Sequence, residues 1–597
     1  MGADETLAAI RQEVSRRGLD ADVAVVGCWG LCFAEPLVEI AKPNGSRVLY
    51  QRVTADRASQ LVEEALAEGD PSTALRTGLC RELALATLSP QPLDSLPADW
   101  RGVLPLSSLD FLALQERRLM ANCGVIEPAS IDHYIARGGY EGLARALSMS
   151  PEDVIEQVSE SGLWGRGGAA FPTGRKWEFL RGAKVEPKYL IGNADEGDPG
   201  AFVNRNLMES DPHSLIEGMV IGGYATGASY GYIYVRDEYP LCVERMELAL
   251  RQARERGLLG QNILGSAFSY DMEVVRGAGS YVCGEETGLL ASIEDARGMP
   301  KIRPPYPAQA GVYAKPTNVN NVETYANVPL ILRHGAPWYI SAGSERNKGT
   351  KMFSLSGHIQ RVGVVEVPFG TPLRRVVYEA GGGPPGGRAL KAVQPGGPLS
   401  GIIHADHVDI PLEPESFREL GASMGGGGLV ILDDSNCVID LCLYFEWFAE
   451  DESCGRCTTC RGGTQRMVEI LKRIARGTSR PSDIGLLRLL ADAMRNANCG
   501  HGQAAPTAVM NIVDTFAAEV QEHIEGKRCP ARVCPGLIRY DIVGDSPRLT
   551  EAAAICPTAA IVATNGQYAI DQGLCIRCDA CREVAPEAVQ VGDEFGA

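Results

Sequence analysis

The chain has 597 residues, a formal net charge of −18 and 45% hydrophobic residues. This length is too great for one hydrophobic core, so we expect about three to five domains of ordinary globular composition. The acidic balance argues against nucleic acid or an anionic membrane surface as a partner. No run of about twenty uncharged apolar residues occurs, so the sequence predicts no membrane span.

The cysteine content indicates the compartment. The chain contains 18 cysteines, most of them grouped at the spacings of metal ligands. Because thiols that serve metals need reducing conditions, we predict a cytoplasmic protein. The acidic amphipathic start, MGADETLAAIRQEV, predicts a helix and not a signal peptide.

The predicted elements follow a definite order. Residues 1–70 predict a helix, a strand over 21–27, a loop with Cys28 and Cys32, two strands and a second helix. The Pro- and Leu-rich segment 71–107 predicts a linker. Beyond it the pattern predicts an α/β region over 108–345, a β-rich region over 346–432, a helical region over 433–526 and a Cys-rich region over 527–597.

The strongest chemical signal is ESCGRCTTCRGG, with Cys454, Cys457 and Cys460 at C-x2-C-x2-C spacing and Cys499 about forty residues later. Three closely spaced thiolates can bind three corners of a cubane cluster, and a remote fourth completes a [4Fe–4S] site. Zinc is the alternative, although zinc sites more often pair two C-x2-C units. An iron–sulfur cluster means that the chain transfers electrons.

Two upstream stretches predict a phosphate or ribityl site. In GRGGAAFPTGRKW, residues 165–177, the glycines expose backbone N–H groups, and Arg166, Arg175 and Lys176 add positive charge. In GNADEGDPGAF, polar and acidic residues directly follow an apolar strand, which is where open α/β sheets bind ligands. A plain glycine turn is the alternative for the first stretch.

Two more stretches add polar groups to the same region. In GAGSYVCGEETGLLASIE, Glu285 and Glu286 stand at the predicted start of a helix, whose dipole stabilises carboxylates. Simple helix N-terminal acidity is the alternative. The Asn-rich turn KPTNVNNVETYANVP can donate hydrogen bonds to a ring or a phosphate. The glycine runs 381–387 and 425–430 predict turns and not nucleotide loops.

These four stretches, followed by SCGRCTTCR and NCGHG, closely resemble the NADH-binding flavoprotein subunit of respiratory complex I. They equally resemble the homologous subunits of soluble NAD-linked hydrogenases and formate dehydrogenases. The resemblance covers roughly residues 108–525. It implies a multidomain α/β protein with a Rossmann-like FMN domain, a ubiquitin-like β-grasp domain and a four-helix bundle that holds a [4Fe–4S] cluster.

The resemblance also implies residue roles. The FMN phosphate and ribityl chain would contact Gly165, Arg166, Gly167, Lys176, Asn193, Asp195 and Glu196. The isoalloxazine side would be lined by Tyr281, Gly284, Glu285, Asn320 and Asn321. NADH would stack near Phe171 and Phe179, with Glu286 near its nicotinamide end, and the flavin itself would carry out the hydride chemistry.

Three positions depart from the pattern of complex I members. Arg303 and Tyr306 stand where Lys and Phe are frequent, and Asp198 stands where Glu is frequent. Charge or aromaticity is kept, so we expect dinucleotide binding with altered affinity. The preference for NAD or NADP stays open.

The C-terminal cysteines predict a second [4Fe–4S] cluster. In a two-cluster ferredoxin each half carries C-x2-C-x2-C-x3-C-P, and its fourth cysteine ligates the other cluster. Here the second half keeps Cys575, Cys578 and Cys581 but has Ala585 in fourth place, while the first half keeps only Cys556. These losses are complementary, so the four cysteines form one complete site in a ferredoxin-like domain.

A zinc site is predicted between the bundle and this domain. Cys529 and Cys534 lie shortly after His523, and three thiolates with one imidazole form a closed structural zinc composition. The related hydrogenase subunits carry a similar Cys/His set, which implies Cys437 as the fourth ligand. A free, buried Cys437 is the alternative.

The N-terminal stretch GCWGLCFAEPLVEI resembles the second half of a thioredoxin-like [2Fe–2S] domain. That family uses two cysteine pairs, and only Cys28 and Cys32 are present, so we predict a truncated docking domain without a cluster. A cluster shared with another chain is the alternative. Cys80 and Cys123 are predicted to be structural.

Together these features predict a diaphorase subunit that exchanges electrons between NAD(H), FMN and iron–sulfur clusters. The extra terminal regions favour a soluble hydrogenase, formate dehydrogenase or electron-bifurcating complex over complex I itself. The expected partners are a thioredoxin-like [2Fe–2S] subunit, a catalytic subunit and, as a further option, ferredoxin. A flavin-free iron–sulfur scaffold is the non-enzymatic alternative.

Overall fold

The computed structural model describes residues 2–42, 47–67, 83–88, 103–564 and 566–595. Most of the predicted linker 71–107, including Cys80, therefore lies outside the described residues. Within them, no helix combines the length and the apolar character needed to cross a membrane.

The N-terminal region forms a small sheet covered by helices. Its elements are α1 (Ala3–Arg17), β1 (Val38–Ala41), β2 (Arg47–Tyr50), α2 (Ala55–Val62) and β3 (Ala84–Thr87), with short helical turns at Cys32–Ala34 and Glu63–Ala67. The antiparallel sheet has the order β1-β2-β3. Strand β3 lies inside the segment that we predicted as a linker, so that prediction is wrong for residues 84–87.

The predicted strand over 21–27 is also wrong. In the described structure these residues have no backbone hydrogen bonds to a neighbouring strand. Their apolar alternation satisfies the strand pattern, but a strand also needs a partner for its N–H and C=O groups. The pattern alone could not reveal that this partner is missing.

A four-stranded parallel sheet forms the centre of the α/β region, in the order β6-β5-β4-β7. Its strands are β4 (Tyr189–Ala194), β5 (Tyr230–Val235), β6 (Asp271–Arg276) and β7 (Thr317–Asn321). The helices are α3 (Asp110–Ala113), α4 (Ile131–Ala136), α5 (Glu141–Leu147), α6 (Pro151–Glu160), α7 (Thr173–Gly182), α8 (Val203–Ser210), α9 (Pro212–Thr226), α10 (Pro240–Glu255), α11 (Glu286–Ile293), α12 (Pro307–Ala310), α13 (Val322–His334) and α14 (Ala336–Ile340).

The apolar residues of this region explain its layers. Helix α9 is buried along almost its whole length, because it packs between the sheet and helix α13. One large core joins residues of α4–α10 and α13 with the sheet. The carboxyl ends of β4 and β7 therefore lie side by side at one edge of a rigid core.

The next region is a five-stranded mixed sheet in the order β11-β10-β12-β8-β9, where only β12 and β8 run parallel. Its elements are β8 (Thr350–Gly357), β9 (Gly363–Pro368), α15 (Leu373–Arg375), β10 (Leu390–Pro395), β11 (Ile403–His404), α16 (Pro414–Glu419) and β12 (Gly428–Asp433). Its core also contains Trp29, Leu31 and Ala34 from the N-terminal region. The ubiquitin-like assignment of this sheet stays a prediction.

The helical region contains α17 (Val438–Asp451), α18 (Thr458–Ala475), α19 (Asp483–Met494), α20 (Gly500–Thr515) and α21 (Ala517–Ile524). Helices α17–α20 pack against one another around an apolar core. The last region contains β13 (Ile538–Ile542), α22 (Leu549–Ile555), β14 (Ile561–Thr564), β15 (Gln567–Ile570), α23 (Ala580–Val584) and β16 (Val589–Asp593). Its strands form two antiparallel pairs, β13 with β16 and β14 with β15.

Candidate functional site

The candidate site lies at the carboxyl ends of β4 and β7, where parallel sheets bind their ligands. The register pairs Gly192 with Asn320 and Asn193 with Asn321. The two polar stretches that sequence reasoning singled out therefore meet at one edge of the sheet.

The glycine loop 165–168 approaches this edge, with Gly167 next to Asn321: a Cβ on Gly167 would lie 3.2 Å from the Cβ of Asn321. Only Lys176 of the three cations in this stretch reaches the site. Its Nζ donates to Val319 O at 2.5 Å and pairs with Glu286 at 3.4 Å. Arg175 is paired with Glu178 at the surface.

Our prediction that the Arg166 side chain adds charge to a phosphate site is wrong. The side chain is fully buried, and its guanidinium stacks between Trp164 and Phe369 at 4.4 and 4.6 Å. It donates to the Tyr339 hydroxyl at 2.7 Å. A ligand could contact Arg166 only through the main chain.

The two acidic residues after β4, Asp195 and Glu196, have different surroundings. Glu196 is buried and accepts hydrogen bonds from the backbone N–H groups of Val203, Asn204 and Arg205 at the start of α8. Its carboxylate is therefore not available to a ligand, contrary to our prediction. Asp195 behaves differently, because its buried Oδ2 has no hydrogen-bond partner among the described residues. Burial raises the pKa of Asp195 to about 7.

The side chains of Asn193, Asn320 and Asn321 form hydrogen bonds within the protein at the candidate site. Asn193 Nδ2 donates to Gly284 O at 3.0 Å, which joins β4 to the loop before α11. Asn321 caps α13 by accepting from Glu323 N at 2.8 Å. Asn320 Oδ1 accepts from Trp177 Nε1 at 3.2 Å. These amides therefore connect the ends of β4 and β7 to the loop before α11, to the start of α13 and to α7.

Helix α11 begins where the sequence predicted it. Glu285 is its N-cap and accepts from Thr287 N and Gly288 N at 2.9 and 3.1 Å. Glu286 lies between two cations, Lys176 and Arg303, and its oxygen is 2.6 Å from the Arg303 guanidinium. The two cations therefore hold the Glu286 carboxylate in place at the first residue of α11.

Phe171 and Phe179 lie at the mouth of the site. Their rings are 6.4 Å apart and about half of each side chain is exposed. Exposed aromatic pairs of this kind provide flat surfaces on which an adenine or nicotinamide ring can stack.

Two supports of the site were not found from the sequence. Lys351 on β8 is fully buried and donates to Glu323 Oε2 at 2.8 Å, to Gly426 O at 2.9 Å and to Arg166 O at 3.3 Å. All three ammonium donors are used, so Lys351 fastens the glycine loop 165–168 to a second glycine loop. A lone lysine in a strand pattern carried no signal of this role.

The second glycine loop is 425–428, which we predicted to be a simple turn. A Cβ on Gly168 would lie 3.1 Å from Gly425 Cα, so the two loops touch through their backbones. The loop contains a turn, as predicted, but its backbone contact with the glycine loop 165–168 places it beside the candidate site, where we had predicted no nucleotide loop.

The bundle cysteines face the same site. Cys457 and Cys499 are the N-caps of α18 and α20, so two helix N-termini point at the space between the thiols. Burial raises the pKa of Cys460, and the neighbouring thiols Cys454, Cys457 and Cys499 raise it further. Burial also raises the pKa of Cys499, with smaller contributions from Cys454 and Glu285. Positive helix ends suit an anionic cluster.

Tyr281 connects the two halves of the site. Its N–H donates to Glu452 Oε2 at 2.9 Å, and its ring packs against Phe448 and His501 at 5.0 and 5.8 Å. Arg297 donates to Cys454 O at 3.2 Å. The helical region is therefore docked onto the loop before α11 through Tyr281, and the cysteine loop is docked onto the segment after α11 through Arg297.

Comparisons with known proteins agree with this geometry. Residues 158–330 match the Nuo51 FMN-binding domain, and residues 440–523 match the NADH-ubiquinone oxidoreductase-F iron–sulfur binding region. The chain belongs to the family of NADH-oxidising flavoprotein subunits.

Several known proteins are similar to this chain over most of its length. The NADP-reducing hydrogenase subunit HndC of Solidesulfovibrio fructosivorans is 48% identical, over 76% of this chain and 93% of that protein. A subunit of the NADH-quinone oxidoreductase of Rhizobium meliloti is 43% identical, over 69% of this chain and 98% of that protein. An H2-reduced NAD+-reducing [NiFe]-hydrogenase matches with a TM-score of 0.61 and 29% identity, over 87% of this chain and 81% of that one.

The residues present fit the FMN of this family. The buried Asp195 Oδ2 has no donor among the described residues, the Lys176 ammonium lies at the site in a 3.4 Å pair with Glu286, and a Cβ added to Gly426 would meet no atom within 4 Å. The FMN-binding and [4Fe–4S] predictions are thus confirmed at the level of the family.

Two further groups of cysteines come together, and all of these cysteines lie outside residues 158–330 and 440–523. Cys556, Cys575, Cys578 and Cys581 line one small cavity with Tyr540, Ile561 and Ile570. Cys437, His523, Cys529 and Cys534 are all buried, and their ligand atoms lie within 4.8 Å of one another. His523 Nδ1 is 2.8 Å from Glu519 O, an outer contact that orients metal-binding imidazoles.

Proposed function

We propose that this chain is the diaphorase subunit of a multisubunit oxidoreductase of the hydrogenase type, oxidising or reducing NAD(H). The observation that carries the proposal is the direct contact between the two halves of the site, through Tyr281, Glu452 and His501. A flavin-free scaffold would not need this contact or the partnerless Asp195.

Each group of residues has a separate task in this proposal. Bound FMN supplies hydride exchange with NAD(H) and single-electron exchange with a cluster. The glycine loops 165–168 and 425–428 and Lys176 would hold its phosphate and ribityl chain. Phe171 and Phe179 would stack the dinucleotide, and Glu286 would orient its nicotinamide end. Cys454, Cys457, Cys460 and Cys499 would hold the [4Fe–4S] cluster behind Tyr281.

The remaining cysteines extend this assignment. Cys556, Cys575, Cys578 and Cys581 would ligate a second [4Fe–4S] cluster, because three closely spaced thiols and one remote thiol share a cavity. Cys437, His523, Cys529 and Cys534 would bind structural zinc, because three thiols and one imidazole form a closed, buried set.

The hydrogenase-type assembly is favoured over complex I by the share of the chain that is matched. The Rhizobium meliloti relative is covered to 98% yet matches only 69% of this chain, whereas the hydrogenase subunit of Solidesulfovibrio fructosivorans matches 76%. The proposed partners are a thioredoxin-like [2Fe–2S] subunit and a catalytic subunit, with ferredoxin as a further electron partner. We also propose a cytoplasmic location.

The deciding experiment is anaerobic addition of NADH to the purified protein. We expect a yellow flavin spectrum that bleaches on addition of NADH, and an EPR signal of a reduced [4Fe–4S] cluster, with more than one NADH consumed per FMN because one NADH supplies only the two electrons that FMN itself takes up. A protein that contains iron and sulfide but no flavin would establish the scaffold instead. Mass spectrometry of co-purifying chains then identifies the assembly.

A further inference from the structure

Arg175 is a cation of the glycine-rich stretch that the proposed function does not use. Its neighbour Lys176 donates to Val319 O and so lies on the flavin side of the site. The Arg175 side chain is more than half exposed, and its guanidinium lies over the ring of Phe179, 4.9 Å from the ring centre. The two consecutive cations therefore serve different parts of the site.

The aromatic pair of Phe171 and Phe179 defines what Arg175 can reach. The proposed function stacks the dinucleotide on this pair with its nicotinamide end elsewhere, at Glu286, so the role of Arg175 inferred here rests on that function. A stacked adenine carries its ribose at the edge of the ring, and NADP(H) differs from NAD(H) by a phosphate on the 2′ oxygen of this ribose. A guanidinium over Phe179 is therefore close to the group that distinguishes the two dinucleotides.

A cleft beside the aromatic pair offers room for this phosphate. Its volume is about 430 Å³, and its lining includes Arg175 as well as Ala170 and Pro172, the two neighbours of Phe171 along the chain. An exposed second cation, Arg346, lines the same cleft. The cleft thus adjoins the stacking surface and carries two guanidinium groups.

The ion pair with Glu178 leaves Arg175 available to a ligand. Arg175 Nη1 donates to Glu178 at 2.6 Å, and both side chains are exposed, so the pair contributes little to stability. This bond uses one N–H group, whereas a guanidinium carries five in a planar fork that matches the oxygens of a phosphate. Arg175 can therefore bind a phosphate without losing a buried contact.

We propose that Arg175 binds the 2′-phosphate of NADP(H), with Arg346 as a second cation, so that the dinucleotide site accepts NADP(H) as well as NAD(H). Arg175 is a specificity residue and takes no part in hydride transfer, which occurs at the nicotinamide end of the dinucleotide. Lys176 and Arg175 then serve two different phosphates, one on the flavin and one on the adenosine.

The first test measures nucleotide binding to the complete, FMN-loaded protein by isothermal titration calorimetry. Adenosine 2′,5′-bisphosphate should bind about tenfold tighter than adenosine 5′-monophosphate, because the added phosphate forms charge-assisted hydrogen bonds. Adenosine 3′,5′-bisphosphate carries the same charge at a different position and should bind like the monophosphate. Equal affinities for the two bisphosphates, or for the 2′,5′-bisphosphate and the monophosphate, overturn the proposal.

Variants of helix α7 assign the preference to one side chain. Arg175→Ala should abolish the preference for the 2′,5′-bisphosphate and keep the affinity for the monophosphate, since Phe171 and Phe179 remain. Arg181→Ala is the matched control, because Arg181 lies on the same helix and pairs with Glu152. It should keep the full preference. A preference that survives in Arg175→Ala overturns the proposal.

Bleaching of the flavin gives a second readout. We expect NADPH to bleach FMN, and we expect Arg175→Ala to raise the KM for NADPH about tenfold, with kcat and the KM for NADH unchanged, because the lost contact is the same in the ground and transition states. A protein that binds none of the three nucleotides has no adenine site, which overturns the proposed function together with this proposal. A protein that binds the monophosphate and is bleached by NADH but not by NADPH overturns this proposal alone.

Discussion

The two ends of the helical bundle hold cysteine sites of opposite character. At one end, Cys437 stands directly before α17, in a buried group whose donors lie within 4.8 Å of one another. At the other end, Ser453 follows α17 and contacts Cys460 at 3.3 Å, in a group whose other thiols are half-exposed. A single ion needs donors that converge on one point, whereas a cubane needs donors spread around a volume.

This difference predicts different consequences of losing each site. The open end faces the candidate flavin site through Tyr281, so its loss should interrupt electron transfer. The closed end faces the C-terminal region, so its loss should destabilise the fold. Between them lies Glu446, a fully buried carboxyl group without a partner in the described residues.

The largest effect is expected at the open end. Cys460→Ser should abolish the EPR signal of the bundle cluster and lower electron delivery to the partner subunit to background, while NADH still bleaches the flavin. The matched control is Cys442→Ser, a buried thiol of the same bundle outside both groups. Retention of the cluster signal in Cys460→Ser would contradict the assignment.

At the closed end, Cys529→Ser should remove one equivalent of zinc and lower the free energy of unfolding by several kcal/mol, because metal binding contributes to folding. Elemental analysis and urea unfolding measure both changes. Bleaching of the flavin by NADH should be unchanged in freshly prepared protein. A protein that contains no zinc even before mutation would refute the zinc assignment.

A smaller effect is expected midway between the two ends. Glu446→Met replaces a partnerless buried carboxyl, so the free energy of unfolding at neutral pH should rise by about 1–3 kcal/mol. Burial raises the pKa of Glu446 well above its usual range. The folded protein therefore keeps this proton after the unfolded chain has ionised, and stability falls as pH rises above about 4.5.

The Glu446→Met variant should not show this fall in the free energy of unfolding as pH rises. Urea unfolding between pH 4 and pH 8, with both metal contents measured, checks the prediction. An unchanged pH profile would mean that Glu446 has a partner or ionises freely. A change in the EPR signal or the zinc content would show that the two ends are coupled through α17.

The smallest effect is expected at the contact between Tyr281 and Glu452. Glu452→Ala removes the acceptor of the Tyr281 N–H and should weaken FMN binding about fivefold, or about 1 kcal/mol. Glu452→Gln keeps an acceptor and should bind FMN normally. Fluorescence titration of the flavin measures both. Equal affinities would show that this contact does not support the flavin site.

The sequence predicted the features that depend on local spacing. The triple Cys454, Cys457 and Cys460 needs only a short loop and a helix start, and the start of α11 at Glu286 follows from its neighbours along the chain. Such features depend only on neighbouring residues, so their prediction does not require the tertiary contacts of the chain.

Features that depend on distant partners could not be predicted. Residues 21–27 have the pattern of a strand but no neighbour to pair with in the described structure. Arg166 resembles a phosphate ligand by position, yet Trp164 and Phe369 enclose its guanidinium. The touching glycine loops 165–168 and 425–428 are about 260 residues apart, so no local pattern connects them.

The buried Lys351 makes the stability of the α/β region depend on the mixed sheet. Its ammonium belongs to the mixed sheet, whereas its counter-charge, Glu323, belongs to the α/β region. A chimera that exchanges residues 346–432 for a relative without this lysine would leave the buried Glu323 carboxylate without its counter-charge beside the glycine loop 165–168, at a cost of about 3–5 kcal/mol. The two regions therefore depend on each other through this ion pair, although each has its own sheet and its own core.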